Sequence, residues 1–241
     1  ILSIGDSQTG RLKPLLNKLH NHDGYGIYYY SSITTNFPSL IETRNNDKNP
    51  EKFKEKYKIS IDYFDHFFSK LNRGDTIILS SRYELRWGNR PIPKYQRNLK
   101  FNYFDSKNNI LNKAQSYSEW KKLFDNIAEK SFSKGIKVIV FNHIPTFPNY
   151  VFAHGEQWFN SLNKKNFVGL RREQYINNSL QVDLAFDALA KKYSNVKVFD
   201  VFSELCPKTK EFCTSKKYID QVHLSKSGSL SLYKSLLKKL N

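Results

Sequence analysis

The stretch ILSIGDSQTGRL, Ile1 to Leu12, passes from an apolar run through Gly5-Asp6-Ser7 into residues of helical spacing. Residues 1–4 have the length and composition of a strand buried on both faces. Gly5, Asp6 and Ser7 suit a tight turn from that strand into a helix, since small residues pack in the turn and Asp and Ser both cap helices well. Such a turn holds one hydroxyl at the edge of a sheet. Ser7 is therefore either a nucleophile or a helix cap, and the tripeptide alone leaves both open.

Outward from this turn the chain repeats the pattern. Short apolar runs at residues 27–30, 76–79, 137–141 and 196–201 predict four more strands. Amphipathic stretches lie between them. Leu12, Leu15, Leu16 and Leu19 form one apolar stripe, and Phe53, Tyr57, Phe64, Phe68 and Leu71 form another. A third stretch carries Trp120, Leu123 and Ile127, opening near Ser118 and stopping at Gly135. A fourth, from Arg172 to Tyr193, is expected to turn Leu180, Leu184 and Leu189 inward. The last has Leu230, Tyr233, Leu237 and Leu240 on one face, Lys234, Lys238 and Lys239 on the other, and Ser225 or Ser227 as its cap.

Strand and helix alternating in this way predict an α/β fold, a three-layer α/β/α arrangement around a five-stranded parallel sheet, in one domain spanning residues 1–241. Sites in such folds form beyond the carboxyl ends of the strands. Two connections there exceed ordinary loop length, residues 80–116 and 143–171. The sequence contains no Met and begins at Ile1, so the domain is expected to come from a longer chain. No run reaches the length of about 18 apolar residues that a membrane span requires.

Lys and Arg number 39 against 22 Asp and Glu, a net charge of +17. That charge suits nucleic acid, anionic lipid headgroups or acidic polysaccharide. The basic residues are scattered and carry no zinc-finger, RRM or P-loop pattern, so nucleic acid is not the expected partner.

A second motif stands at the far end, in KKYIDQVHLSKSG, residues 216–228, where Asp220 precedes His223 by three positions. Read alone, Asp-x-x-His fits a surface turn. A metal pair is disfavoured because no third ligand of suitable spacing accompanies it, and His20 and His22 are expected to face solvent. Combined with Ser7, the pair has a chemical purpose. A serine hydroxyl becomes a good nucleophile when an imidazole takes its proton, and a carboxylate on the other ring nitrogen stabilises the imidazolium.

The two motifs together resemble the serine and Asp-x-x-His blocks of the SGNH, or GDSL-like, hydrolase superfamily. The resemblance covers nearly the whole chain. It implies Ser7 as nucleophile, His223 as general base and then acid, and Asp220 as the orienting carboxylate. It also implies the Ser7 backbone N–H as an oxyanion donor. The middle departs from the free-standing esterases, whose third block is Gly-x-Asn-Asp. DTIILSSRYELRWG stands there instead, similar to the pattern of SGNH domains fused behind membrane acyltransferase-3 domains, through Asp75, Ile78, Leu79, Arg82 and Tyr83. Ile144-Pro145 and Phe147-Pro148 fit the same subfamily, as do Cys206, Pro207, Cys213, Tyr218, Asp220, His223, Leu224 and Ser225. The second block, near residues 31–37, lacks the usual cysteine and paired prolines. Thr35 and Arg82 are the further oxyanion candidates.

Cys206 and Cys213 are the two cysteines of the chain, seven positions apart. Their spacing fits a small disulfide loop in an oxidising compartment, with two free buried thiols as the alternative. Residues 82–104 interleave Arg82, Arg86, Arg90, Lys94, Arg97 and Lys100 with Tyr83, Trp87, Tyr95, Phe101, Tyr103 and Phe104. This stretch reads either as a sugar-binding surface or as an insertion packing its aromatics onto the body.

The expected function is transfer of an acyl group, acetyl foremost, to hydroxyls of a cell-envelope glycan, through an acyl-serine and without metal or organic cofactor. The donor would come from a membrane acyltransferase domain. The expected location is extracytoplasmic, in the periplasm, beside anionic membrane surface. Two alternatives are a stand-alone carbohydrate esterase and a non-catalytic glycan-binding domain.

Overall fold

A computed structural model describes residues 1–33, 35–44, 51–89, 96, 98–105, 107–148 and 170–241. In chain order the first half comprises β1 (Leu2–Gly5), α1 (Ser7–Arg11), α2 (Lys13–Asp23), β2 (Tyr28–Ser31), β3 (Ile41–Arg44), α3 (Glu51–Lys70), β4 (Thr76–Ser80) and α4 (Glu84–Trp87). The second half comprises β5 (Phe101–Phe104), β6 (Ile110–Leu111), α5 (Lys113–Ser133), β7 (Lys137–Phe141), α6 (Arg172–Lys192), β8 (Val196–Phe199), α7 (Val201–Leu205), α8 (Lys226–Ser231) and α9 (Tyr233–Leu240).

Five strands form a parallel sheet in the order β2-β1-β4-β7-β8. Successive side chains alternate between its faces. Ile78, Ile139 and Phe141 join one core with Leu15, Leu16 and Leu19 of α2 and Tyr233, Leu236 and Leu240 of α9. Leu2, Ile4, Ile77, Leu79, Val138 and Val140 join the other, with Phe64 of α3, Trp120, Phe124 and Ile127 of α5, and Val182 and Phe186 of α6. Each large apolar side chain buried in these layers contributes about 1.5–3 kcal/mol. The α/β fold with a five-stranded parallel sheet is the one the sequence pattern predicts.

Register decides where a site can form. Gly5, the last residue of β1, lies opposite Ser31 of β2 and Ser80 of β4, so three strand ends finish at one level. A Cβ at Gly5 would come within 1.9 Å of the Ser80 carbonyl oxygen and 2.4 Å of Thr9 Oγ1. Only glycine lets the first turn of α1 sit this close to β4.

Several local expectations change. The second strand starts at Tyr28, and the fifth ends at Phe199, because the Asp200 carboxylate accepts the Ser203 N–H at 3.0 Å and caps α7, which already contains Val201. α5 opens at Lys113, five residues ahead of Ser118, through a reciprocal cap between Asn112 and Gln115. In α6, Leu180 and Leu184 are exposed while Tyr175, Val182, Phe186 and Leu189 are buried. That stripe sets Phe186 against Trp120 and Phe124 and Tyr175 against Phe147 and Phe202, and the larger apolar area decides which face turns inward. The C-terminal helix divides into α8 and α9, with Ser225 and not Ser227 as its cap.

The connection 80–116 is not a plain loop. It carries α4 and two strands, which join β3 in an antiparallel sheet ordered β3-β5-β6. Trp87 stacks on Tyr103 with ring centroids 4.9 Å apart, and Tyr83 packs against Trp120 and Phe186. Arg86 Nε donates to Glu42 Oε2 at 2.9 Å, with both side chains buried. For these residues the packing alternative holds, and the sugar-binding reading of Tyr83, Arg86, Trp87 and Tyr103 falls away. Arg90, Lys94, Tyr95 and Arg97 lie outside the described residues, as does most of the connection 143–171.

Candidate active site

The turn after β1 separates the two roles open to Ser7. Asp6 is the N-cap of α1, its Oδ1 accepting the Gln8 N–H at 2.8 Å. Its other oxygen accepts the Arg82 N–H at 2.9 Å, and its own N–H donates to Ser81 Oγ at 3.0 Å. Burial pushes the Asp6 carboxyl up, opposed by these backbone donors and by Arg86 and Arg82. With Asp6 as cap, the Ser7 hydroxyl is left to face the C-terminal loop.

That loop delivers the imidazole. His223 Nε2 lies 2.9 Å from Ser7 Oγ, and His223 Nδ1 lies 2.7 Å from Asp220 Oδ2. Asp220 Oδ1 accepts the N–H groups of Val222 and His223, each at 2.8 Å, which closes the loop on itself. Burial acts to raise the Asp220 carboxyl, but the His223 and Val222 hydrogen bonds outweigh it and hold the group below the usual carboxylate range. The Ile219 N–H donates to the His223 carbonyl, and Tyr218 bridges to Leu224, so both flanks of the pair are pinned. Gln8, buried immediately after Ser7, donates from Nε2 to the Val222 carbonyl at 2.6 Å and ties α1 to this loop. The sequence reading had no cue for Gln8, because its partner is 214 positions away.

The remaining candidates occupy the same layer of strand ends. Thr35 is buried, its hydroxyl donating to Ser32 Oγ at 2.6 Å, and the Ser32 N–H in turn bonds the Gly5 carbonyl. The Arg82 guanidinium is also buried, donating to Gln96 Oε1 at 2.9 Å and pairing with Glu84. Cys206 and Cys213 are joined in a disulfide. Its loop is tied to the start of α6 by the Arg172 N–H donating to the Glu211 carbonyl. His20 and His22 are exposed. A second histidine cluster escapes the sequence: His143, buried at the end of β7, meets Asp183 at 3.2 Å and Ser179 Oγ at 3.4 Å. Ser179 is itself fully buried and bonded to the Tyr175 carbonyl within α6, which removes it as a nucleophile.

A family model described as the SGNH domain fused to AT3 domains matches residues 1–238. The chain belongs to the SGNH domain family. The SGNH domain also resembles solved structures at the level of the fold. One is a proposed platelet activating factor from Streptococcus pneumonia, with a TM-score of 0.55 and 16% identity, covering 100% of this chain and 83% of that one. Another is a proposed SGNH hydrolase from Slackia heliotrinireducens, with a TM-score of 0.50 and 12% identity over 100% of this chain and 97% of that one. No curated protein sequence matches. Membership of this family places the SGNH domain among enzymes of the serine hydrolase and esterase type.

Proposed function

We propose that this SGNH domain, a single unit over residues 1–241, transfers an acyl group, acetyl foremost, to a hydroxyl of a cell-envelope glycan. The observation carrying the reading is the unbroken hydrogen-bond chain Ser7–His223–Asp220. Ser7 Oγ attacks the carbonyl carbon of the donor while His223 Nε2 takes its proton. The leaving group departs with that proton, and the acyl group remains on Ser7 as an ester. A glycan hydroxyl then gives its proton to His223 and attacks the acyl carbon, and the proton returns to Ser7. Asp220 keeps Nδ1 protonated and stabilises the imidazolium formed at each half-reaction.

As first residue of α1, Ser7 has a backbone N–H with no preceding turn to accept it, which supports its role as oxyanion donor. Thr35 and Arg82 are proposed as neighbours that shape the hole, since Ser32, Glu84 and Gln96 hold their side chains. The family's fusion to AT3 domains supports a donor delivered at the membrane. Together with the disulfide it supports an extracytoplasmic, periplasmic location, where the charge of +17 would meet anionic surfaces.

The test is labelling and turnover. A serine-directed fluorophosphonate is expected to modify Ser7 alone, and Ser7→Ala and His223→Ala are each expected to reduce hydrolysis of p-nitrophenyl acetate by at least about 10³-fold, because the members act as a unit. Wild-type rates in the Ser7→Ala protein would remove the assignment.

A further inference from the structure

A cavity of about 380 Å³ is lined by Gly10, Arg11, Lys13, Pro14, Asn17, Leu224, Ser225 and Lys226. Its two walls are the continuations of the two segments that form the serine–histidine pair. Gly10 lies one helical turn beyond Ser7 on the same face of α1. Leu224, Ser225 and Lys226 directly follow His223. Both walls thus continue the segments that carry the reacting pair, although neither Ser7 nor His223 lines the cavity itself.

The lining carries three cations and no carboxylate. Some exposed cations face acids, as with Lys54 and Glu51, Lys122 and Glu119, Arg171 and Glu211, and Lys192 and Asp125, whereas among the described residues Lys234, Lys238 and Lys239 of α9, like the three of the groove, are in no such pair. Among the described residues, Arg11, Lys13 and Lys226 form no ion pair. Three like charges lining one groove repel one another, and an anion placed between them relieves that repulsion. The size lies within the usual range for ligand sites of about 300–1,000 Å³. Arg11 adds a planar fork suited to carboxylate and phosphate oxygens. A bilayer is broader than this groove, whereas a polysaccharide chain can lie along it.

We infer that the groove is an acceptor subsite for an acidic glycan, holding a carboxylate or phosphate of one sugar unit so that a hydroxyl of the adjoining unit meets the acyl-serine. The inference rests on the acyl-transfer reading, and binding separates the two. Ser7→Ala protein is titrated with fluorescent oligogalacturonate, with a glycerol-phosphate oligomer, with neutral cellotetraose and with phosphatidylglycerol vesicles. At least one anionic oligomer is expected to bind more tightly than cellotetraose, the stronger of the two naming the anion. Adding Arg11→Gln, Lys13→Gln and Lys226→Gln together should weaken it about tenfold, as three exposed charge contacts would. Adding Lys234→Gln, Lys238→Gln and Lys239→Gln on α9, the same change in charge, should leave it unaltered. Equal affinity for neutral and anionic oligomers, equal loss in the α9 variant, or binding to vesicles alone would each overturn the subsite. Failure of wild-type protein to release p-nitrophenol from p-nitrophenyl acetate would instead sink the catalytic reading and leave the binding result standing.

Discussion

Asp220 accepts hydrogen bonds from two backbone N–H groups of its own loop and from the imidazole it orients. One carboxylate thus fixes both the shape of the turn and the tautomer of His223. Asp220→Asn would place an amide nitrogen against one of these donors, so kcat on p-nitrophenyl acetate is expected to fall by up to about 10⁴-fold with some turnover remaining. The same carboxyl makes a second, pH-dependent mark. Its folded pKa is depressed, so it stabilises the fold above its unfolded value of about 3.9 and loses that contribution as the pH falls through the folded value. Urea midpoints of wild type and Asp220→Asn should therefore differ most near neutrality and converge below about pH 4. A gap that persists unchanged to pH 3 would mean that Asp220 stabilises the loop by packing alone.

Among the described contacts that hold the small antiparallel sheet, two are of different kinds. Trp87 stacking on Tyr103 is apolar and tolerant of small shifts, whereas the buried Arg86–Glu42 pair requires both partners. Burial acts to lower the Arg86 guanidinium, but Glu42, by charge and hydrogen bonding, holds it above its ordinary value. Removing Glu42 takes from the buried Arg86 guanidinium the carboxylate that bonds it. Glu42→Gln is expected to cost about 3–5 kcal/mol in urea unfolding, and Glu42→Leu with Arg86→Met should recover most of it. Recovery would show that the pair matters here as a matched set; no loss in the single variant would show that water reaches Arg86.

In the whole molecule, the parallel sheet brings together residues from the two ends of the chain, with Ser7 and His223 separated by 216 positions. The strand ends of β1, β2 and β4 supply a common floor, and the His223 loop closes over it. The segment after β4 lacks the Gly-x-Asn-Asp block, so the asparagine that serves the free-standing esterases as side-chain oxyanion donor is absent from that motif. Loss of such a donor elsewhere slows acyl transfer by about 10²–10³-fold. A bound acceptor can offset this through positioning, because an oriented hydroxyl reacts as if intramolecular. Given an acetyl donor and envelope polysaccharide, the domain should form acetylated glycan faster than free acetate, as measured by mass spectrometry. Free acetate dominating for every acceptor, with rapid hydrolysis of small esters, would replace transfer by de-esterification.

The alternation of buried runs with amphipathic stretches sufficed for the α/β class, since strand and helix periodicities are local. The pairing of Gly5-Asp6-Ser7 with Asp220-x-x-His223 sufficed for the family, because each block is a short segment of adjacent residues. Which hydroxyl group would be free was not local. Asp6 and Ser7 are equally good caps in sequence, and Arg82, 76 positions away, supplies a donor that holds Asp6 in that role. The same holds for the inward face of α6, chosen by the aromatic partners it meets, and for Tyr83, Arg86, Trp87 and Tyr103, which became interior, with Arg86 paired to Glu42 of β3. Local periodicity fixes what an element can be; which of its polar groups work and which merely support is settled by partners that only tertiary packing brings within hydrogen-bonding distance.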